Sequence, residues 1–295
     1  MDEQMKVLSL CSGYGGLDMA VENHFSAKTA YWSDVDETAC AVMGARFPDA
    51  EPIGDLTTLD LTMLHADIIV AGYPCQPWSL AGNRLGELDA ERHLWPYIRN
   101  TVSVLRPRFV VLENVAGHLS LGAAAVVGDL AAFGYDAKWT TLAAGHPAVG
   151  APHQRKRWFC VATDTDGAGS WPARSQRCGR STVERSVVTD AEGAECAQHE
   201  HMETPTRPAT ESRERPSAVG WGKYGPVIRR WERVLGRPAP EPVTDGKLSA
   251  GFVEWMMGLE SGHVTDIAAS RAKALACLGN GVVPQQAALA LELLT

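Results

Sequence analysis

Residues 72–79 read Gly72-Tyr73-Pro74-Cys75-Gln76-Pro77-Trp78-Ser79, and an apolar run at residues 67–71 leads directly into them. The run is short, rich in β-branched residues and bounded by turn formers, which is typical of a strand buried in a parallel sheet. Pro74 lacks a backbone donor and favours an extended Tyr73, so the strand ends in a rigid corner. The corner presents Cys75 at the edge where open α/β sheets bind ligands. A lone cysteine is ordinarily structural, but this context and the motifs downstream favour a nucleophile.

The overall composition is that of a globular protein. The chain has 295 residues, of which 45% are hydrophobic and 21% charged, enough for one large domain or two. Its seven cysteines are scattered and odd in number, and the apolar start at residues 7–11 is too short for a secretory or bilayer-spanning segment. We therefore expect free thiols in a reducing cytoplasm and no membrane attachment.

The net charge of −8 is unevenly distributed along the chain. Residues 1–150 carry a net charge of −9 and residues 241–295 one of −3, whereas residues 151–240 carry +4. A basic stretch in an acidic protein is expected where one module meets phosphates, although a mixed solvated surface explains the same charges.

A glycine turn, Ser12-Gly13-Tyr14-Gly15-Gly16, joins a first strand at Lys6–Cys11 to a helix that begins at Leu17. A strand, a glycine turn and a helix N-terminus form a cradle for a nucleotide, or a simple connection. Asp18 stands where the dinucleotide pattern Gly-x-Gly-x-x-Gly requires glycine. The turn therefore favours a nucleoside cofactor without pyrophosphate over NAD.

Acidic residues follow two further strands. A strand at residues 30–33 ends in Asp34, about 20 residues after the glycines, where a carboxylate can accept both ribose hydroxyls. Asp36 is also suited to cap a helix predicted over Glu37–Phe47. Asp55, in a third turn, is placed to meet an adenine amino group or to serve as a plain turn residue.

A second candidate catalytic group follows the strand at residues 109–112. Glu113 ends that strand beside the predicted Cys75 corner, which suits a general acid, a helix cap or a salt-bridge partner. The polar segment Leu80–Arg92 is interpreted as a loop that closes over the nucleophile, or as a surface connection.

The basic part of the chain begins with Arg155 and Arg157. Alternation places both on one face of a strand, where their forked donors suit a phosphate or a base carbonyl, or form an exposed basic edge. Residues 163–220 are rich in Ser, Thr, Gly, Pro and Arg, which indicates a loop-rich or partly disordered segment. The amphipathic pattern of Tyr224–Leu235 predicts a helix with one apolar face, which includes Trp231.

Two weaker patterns lie in the second half of the chain. A scattered set without a paired Cys-x-x-Cys makes a poor zinc site, so no metal is expected: Cys178, Cys196, His199 and His201. Gly279-Asn280-Gly281, before a final helix at Gln285–Leu294, predicts a second turn with free backbone donors, or a plain turn.

Taken together, these segments resemble the DNA cytosine-C5 methyltransferase family, over about residues 1–162 and 248–295. Five motifs occur in the family's order. Residues 10–16 are similar to the first cofactor motif, Gly72–Gln76 to the Pro-Cys motif and Glu113–Val115 to the Glu-Asn-Val motif. Arg155–Arg157 are similar to the Arg-x-Arg motif, and Gly279–Val283 to the closing motif. Two departures are Cys11, where the family often has an aromatic residue, and Asp34, where it usually has Glu.

The resemblance implies a mechanism and a cofactor. Cys75 would attack C6 of a flipped-out cytosine, Glu113 would bind the ring nitrogen and amino group, and Arg155 and Arg157 would hold the base carbonyl and the adjacent phosphate. The implied cofactor is S-adenosyl-L-methionine, bound by Cys11, Ser12, Gly13, Gly15, Gly16, Asp34, Val35, Asp55, Leu56, Pro74, Asn280, Gly281 and Val282.

The resemblance also implies an architecture and partners. The fold is α/β and Rossmann-like, with residues 1–162 plus 248–295 as the catalytic and cofactor-binding domain and the last helix beside the first strand. Residues 163–247 form a small, loop-rich target recognition domain. The implied partner is double-stranded DNA, with a separate restriction endonuclease in the same system. The protein is expected to be monomeric and cytoplasmic, in a bacterial or phage-infected cell.

Three other functions fit parts of the pattern. A branch of the family modifies tRNA, which methyl transfer into tRNA rather than duplex DNA would reveal. A non-catalytic DNA-binding relative is disfavoured because Cys75, Glu113, Arg155 and Arg157 are all present. An NAD enzyme is disfavoured by Asp18.

Overall fold

The computed structural model describes residues 4–74, 94–165 and 220–295, all of which belong to one compact unit. Seven strands form its main sheet: β1 (Lys6–Leu10), β2 (Lys28–Ser33), β3 (Glu51–Pro52), β4 (Ile68–Ala71), β5 (Phe109–Val115), β6 (Tyr135–Ala143) and β7 (Lys156–Asp164). Their order is β3-β2-β1-β4-β5-β7-β6. The pairs among β1 to β5 are parallel, whereas β7 runs antiparallel to both β5 and β6.

Helices cover both faces of this sheet. They are α1 (Gly16–Phe25), α2 (Glu37–Arg46), α3 (Trp95–Leu105), α4 (His118–Leu121), α5 (Ala123–Ala132), α6 (Gly225–Leu235), α7 (Ala250–Met256), α8 (Arg271–Asn280) and α9 (Pro284–Leu294). A short hairpin pairs β8 (Val243–Thr244) with β9 (Lys247–Leu248).

Alternation along the central strands divides the core in two. Ile68 and Val70 of β4 join a cluster with α1, α6, α7, α8 and α9, whereas Ile69 and Ala71 join a cluster with α3 and α5. Because both faces are covered, β4 is apolar throughout and has no polar side, as expected for a doubly wound sheet. The predicted Rossmann-like α/β fold is confirmed.

Three local predictions are wrong. Gly279 and Asn280 belong to the last turn of α8, so they form no separate turn of free donors. β7 begins at Lys156, which leaves Arg155 just before the strand. The last helix, α9, packs mainly against α1 and across β6 and β7 rather than beside the first strand. The cause in each case is packing at long range, since local propensity does not locate the partner of a helix.

Helix α6 confirms the predicted amphipathic pattern. Ile228 and Trp231 are buried, and Trp231 Nε1 donates to the carbonyl of Trp255 at 2.9 Å. The helix thus packs on the same core cluster as α7, α8 and α9. The boundaries of the target recognition domain at residues 163 and 247 remain a prediction.

Several sequence predictions lie outside the described residues. They concern Cys75, the segment Leu80–Arg92, and the possible zinc ligands among residues 166–219. Within the described ranges, no group of three His, Cys, Asp or Glu side chains is arranged to hold a metal ion. One described stretch, Arg271–Leu294, is long and apolar enough to cross a bilayer, but it comprises α8 and α9 and half of it is buried, as in a core helix.

Candidate functional site

A cleft of about 640 Å³ lies at the carboxyl ends of the parallel strands. Its walls come from residues that follow β1, β2, β3 and β4, from the end of β5 and from the start of β7. They include Cys11, Gly13, Asp34, Val35, Asp55, Leu56, Gly72, Pro74, Glu113, Arg157 and Asn280. Most of the predicted site residues therefore face one space, because parallel strands end at the same edge of the sheet.

The glycine turn after β1 is held from the far end of the chain. Gly13 and Gly15 have positive φ values of 58° and 78°, which glycine adopts at no steric cost. The Tyr14 side chain is fully buried, and its hydroxyl donates to the carbonyl of Val282 at 2.5 Å. A Cβ at Gly281 would overlap the Tyr14 ring, so that position requires glycine. The first and last motifs thus form one packed unit.

Carboxylates on this side of the cleft are satisfied by nearby backbone amides. Asp34 accepts from the amides of Gly13 and Asp36, both at 2.9 Å. Asp36 accepts from two amides in the first turn of α2 and is its N-cap, the alternative that the sequence left open. Asp55 similarly caps a 3₁₀ turn at Leu56–Thr58. All three line the cleft, and a carboxyl group has more acceptor sites than these contacts use.

Cys11 borders the cleft with a positive φ of 54°. Burial, and after it the neighbouring Asp34 and Asp55 carboxylates, raise the pKa of its thiol to about 12. The thiol is therefore neutral near pH 7, and Cys11 shapes the wall of the cleft without acting as a nucleophile.

Glu113 and Arg157 form a buried pair at the other side of the cleft. Arg157 Nε lies 2.7 Å from Glu113 Oε1, and both side chains are largely inaccessible to solvent. Burial raises the pKa of Glu113 to about 7, against the opposing effect of Arg157 and then Arg155. Desolvation therefore outweighs the ion pair, so the carboxyl can exchange a proton near neutral pH.

Arg155 is committed to backbone carbonyls. Its Nη2 donates to Gly279 O at 2.7 Å and also to Gly281 O, both near the carboxyl end of α8. Gln286 Nε2 donates in turn to the Arg155 carbonyl at 2.9 Å. In this conformation the Arg155 side chain holds the closing motif, Gly279–Val283, in place. Among the described residues, the arginine that lines the cleft is Arg157 and not Arg155.

Asn114 fixes the approach to the predicted nucleophile. Its Nδ2 donates to the carbonyl of Tyr73 at 3.0 Å, and the Asn114 side chain is buried. The Tyr73 hydroxyl also lies 3.0 Å from Nε2 of His118. Two contacts therefore hold the residue before Pro74, the last described residue before Cys75.

The pattern of this edge matches a known family. The family model for C-5 cytosine-specific DNA methylases matches residues 5–234. This chain belongs to that family. The methylase model thus extends across β1 to β7 and includes α6.

Individual members of the family match part of this chain. The type II methyltransferase M.CviJI of Paramecium bursaria Chlorella virus IL3A is 32% identical over 165 residues, which cover 55% of this chain and 44% of the relative. The type II methyltransferase M.NlaIV of Neisseria lactamica is 29% identical over 178 residues, 55% of this chain and 42% of the relative. The aligned part is thus less than half of the length of these curated relatives.

Two solved structures share the fold of this chain. An Entamoeba histolytica methyltransferase, EhMeth, matches with a TM-score of 0.59 and 16% identity over 99% of this chain and 98% of that one. The Schizosaccharomyces pombe Dnmt2 methyltransferase gives a TM-score of 0.58 at the same identity, over 98% of both chains. At this identity the likeness concerns architecture only.

Several residues that support the cleft were not predicted as site residues. Tyr14, Asn114 and Ser33 act through contacts with backbone carbonyls of distant segments; the Ser33 hydroxyl, for example, donates to Gly54 O at 2.7 Å. Tyr14 and Asn114 were visible as parts of motifs, whereas Ser33 gave no signal in the sequence. Of the predicted residues, Ser12, Gly16, Gly281 and Val282 line a small cavity that adjoins the cleft.

Proposed function

We propose that this methylase family member is an S-adenosylmethionine-dependent DNA cytosine-C5 methyltransferase. The observation that carries the proposal is the buried Glu113–Arg157 pair at the end of β5. It faces the same cleft as Gly72 and Pro74, which lead from β4 to Cys75. A proton-exchanging carboxyl and a guanidinium at this edge, together with the thiol of Cys75 that follows Pro74 in the sequence, are the groups that cytosine C5 chemistry requires.

Cys75 supplies the nucleophile in this proposal. The C5 carbon of cytosine is weakly nucleophilic, and addition of the Cys75 thiolate to C6 converts the ring into an enamine that is reactive at C5. After C5 has gained a methyl group and lost its proton to a base, the C6–S bond breaks and the thiolate is released. The contacts of Asn114 and His118 with Tyr73 support this role, because they fix the chain two residues before the sulfur.

Glu113 stabilises the charge that develops when the thiolate adds. With a pKa of about 7, the carboxyl is partly protonated at neutral pH and can donate a hydrogen bond to the ring nitrogen N3. Its other oxygen can accept from the exocyclic amino group. Arg157 then offers its guanidinium to the base carbonyl O2, while Arg155 keeps the closing motif in place.

The other side of the cleft fits a nucleoside cofactor. Asp34 and Asp55 have spare acceptor oxygens toward the cleft, and the backbone there requires glycine. When bound there, S-adenosylmethionine supplies an electrophilic methyl group on a sulfonium centre. Asp34 would accept from the ribose hydroxyls, Asp55 from the adenine amino group, and the N-terminus of α1 would favour the carboxylate of the amino-acid part.

The substrate of the proposal is a cytosine taken out of duplex DNA. Unstacking and unpairing the base costs roughly a few kcal/mol, which contacts with the protein must offset. Net positive charge in residues 151–240 supports binding to the DNA backbone. A separate restriction endonuclease in the same system and a monomeric state remain parts of the proposal.

Methyl transfer from labelled S-adenosylmethionine tests the function directly. Purified protein should label duplex DNA, and bisulfite sequencing should locate 5-methylcytosine in a defined sequence. Transfer into tRNA but not DNA would instead favour the tRNA-modifying branch. Cys75→Ser should abolish transfer and keep cofactor binding, whereas Cys178→Ser and Cys196→Ser, to which the proposal gives no role, serve as matched controls. Substantial turnover in Cys75→Ser would disprove the role of that thiol.

A further inference from the structure

One buried acidic side chain beneath the glycine turn has no positively charged partner among the described residues. Asp18, in the first turn of α1, is 1% exposed, and the Ser9 hydroxyl is the side-chain group that favours its ionised form. Ser9 of β1 is 0% exposed, and beyond their mutual contact neither its hydroxyl nor the Asp18 carboxyl has a hydrogen-bond partner there. Buried polar groups without partners are uncommon and costly, so this pair calls for a ligand.

Both side chains face a cavity of about 30 Å³. The cavity also contacts Cys11, Gly13, Gly72, Glu113 and Asn280, all of which line the larger cleft. Its size suits one group no larger than a water molecule or an ammonium group, provided that two to four polar partners are available. Ser9 and the two Asp18 oxygens supply three acceptors.

The charge around this cavity favours a cation. The groups that influence Asp18 are the Ser9 hydroxyl, its own amide and the Glu22 carboxylate, and none of them is positive. Glu113 faces the same cavity, but Arg157 and Arg155 already compensate it. Asp18 is therefore the carboxyl at this site that lacks a counter-ion.

We propose that Asp18, assisted by Ser9, binds the α-ammonium group of the amino-acid part of the cofactor. The inference rests on the proposed function, because it takes S-adenosylmethionine as the ligand of the cleft. It assigns a role to a residue that the glycine pattern itself does not contain. An ammonium group offers three donors and a positive charge, which suit the Ser9 hydroxyl oxygen and the two oxygens of the Asp18 carboxylate.

Protonation supports this assignment and provides a second observable. Burial raises the pKa of Asp18 to about 7, so the carboxyl of the free protein is partly protonated at neutral pH. An ammonium group favours the ionised carboxylate and lowers that pKa. Binding near pH 7 should therefore release a proton, whereas binding of a ligand without the amino group should not.

Calorimetry with two ligands tests the inference without using catalysis. The probes are S-adenosylhomocysteine and its analogue S-adenosyl-4-thiobutyrate, which keeps the carboxylate but lacks the α-amino group. In the wild-type protein the amino group should improve affinity by about 10-fold to 100-fold, the range of a charge-assisted hydrogen bond. Asp18→Asn should remove most of that difference and leave the affinity of the analogue nearly unchanged. Asp49→Asn, an exposed carboxylate paired with Lys28, is the matched control.

Proton release is measured by repeating the titration in buffers of different ionisation enthalpy. S-adenosylhomocysteine should release a proton from wild-type protein and from Glu113→Gln, and none from Asp18→Asn. If Asp18→Asn does not fold, the measurement of proton release can be made with the wild-type and Glu113→Gln proteins alone. Equal affinity for the two ligands, or proton release that is lost in Glu113→Gln, would overturn the assignment to Asp18. Failure of the wild-type protein to bind either ligand would instead contradict the proposed function.

Discussion

The two sides of the cleft satisfy their carboxylates in opposite ways. On the cofactor side, Asp34 and Asp55 lie near the surface and accept hydrogen bonds from backbone amides, Asp34 from Gly13 and Asp55 from Thr57. On the catalytic side, Glu113 is buried and faces the guanidinium of Arg157 from another strand. Backbone donors hold Asp34 and Asp55 in place, whereas burial raises the pKa of Glu113 to about 7 and makes its proton exchangeable near neutral pH.

This difference separates binding from chemistry. A carboxylate that is already held by backbone amides is a preorganised acceptor, which suits recognition of hydroxyl and amino groups. A buried carboxyl with a raised pKa suits proton donation in a reaction. Asp18 combines the two, because it lies on the cofactor side but has the raised pKa of a buried group.

The largest effect is expected at Glu113. Glu113→Gln should lower the rate of methyl transfer by about 10²-fold to 10⁴-fold, the usual contribution of a positioned acid, and leave cofactor affinity within about twofold. Single-turnover measurements across pH sharpen the test. The wild-type rate should fall as pH rises through about 7, because the donating proton is lost, and the variant should lack this decline.

A rate that is unchanged in Glu113→Gln would contradict the role of the carboxyl. An equal loss of cofactor affinity would contradict the division between the two sides of the cleft. Glu22→Gln provides a matched control. It alters a carboxylate that accepts a hydrogen bond from the backbone amide of Thr29.

The next largest effect is expected on the stability of the protein when Asp18 is changed. A folded-state pKa of about 7, above the ordinary value of 3.8, means that folding favours the protonated form. The resulting cost to stability is absent below about pH 4, grows as pH rises to about 7 and is constant above that. Asp18→Asn should therefore stabilise the ligand-free protein at about pH 8 by as much as about 4 kcal/mol and change little at about pH 4.

Urea unfolding at the two pH values measures this difference. The same experiment with saturating S-adenosylhomocysteine should reduce the advantage of the variant, because the ligand stabilises the wild-type carboxylate. A variant that is less stable than wild type at both pH values would show that Asp18 has a structural partner.

A smaller effect, on cofactor affinity, is expected when the carboxylates held by backbone amides are removed. Asp34→Ala combined with Asp55→Ala should weaken cofactor binding by about 10-fold to 100-fold, through the loss of hydrogen bonds to ribose and adenine. The rate at saturating cofactor should change much less. Calorimetry and single-turnover rates check the two parts separately, and undiminished binding in the double variant would place the nucleoside elsewhere.

The smallest effect per residue is expected outside the cleft, on helix α6. Its exposed face carries Arg229, Arg230 and Arg233, while Trp231 anchors the other face in the core. Changing the three arginines to Ala should weaken DNA binding and reduce the slope of log K against log salt by up to about 0.9 for each lost phosphate contact.

The measurement is DNA affinity at several salt concentrations, with Lys28→Ala as a control for removal of a surface cation. Cofactor affinity should stay unchanged in the triple variant. An unchanged slope would show that these arginines do not contact phosphate, and DNA contacts would then be sought in residues 163–220.

Much of this protein could be predicted from local sequence because local forces decide it. The strand before Gly72, the glycine turn and the amphipathic helix that contains Trp231 all follow from short-range patterns of hydrophobicity and turn chemistry. The same applies to the caps formed by Asp36 and Asp55, since a cap depends only on the next three residues. The order of the motifs indicated the family, and the resemblance to that family indicated which groups are catalytic.

Tertiary structure decided the partners of those groups. Nothing near Arg155 in sequence indicates that its guanidinium binds carbonyls more than 120 residues away, at Gly279 and Gly281. The raised pKa values of Glu113 and Asp18 depend on how much of the chain excludes water from them. Burial and long-range contacts are properties of the packed chain. Local sequence therefore determined most of the elements and the identity of the reactive groups, whereas packing determined the ends of α8 and β7 and the charge states and contacts of those groups.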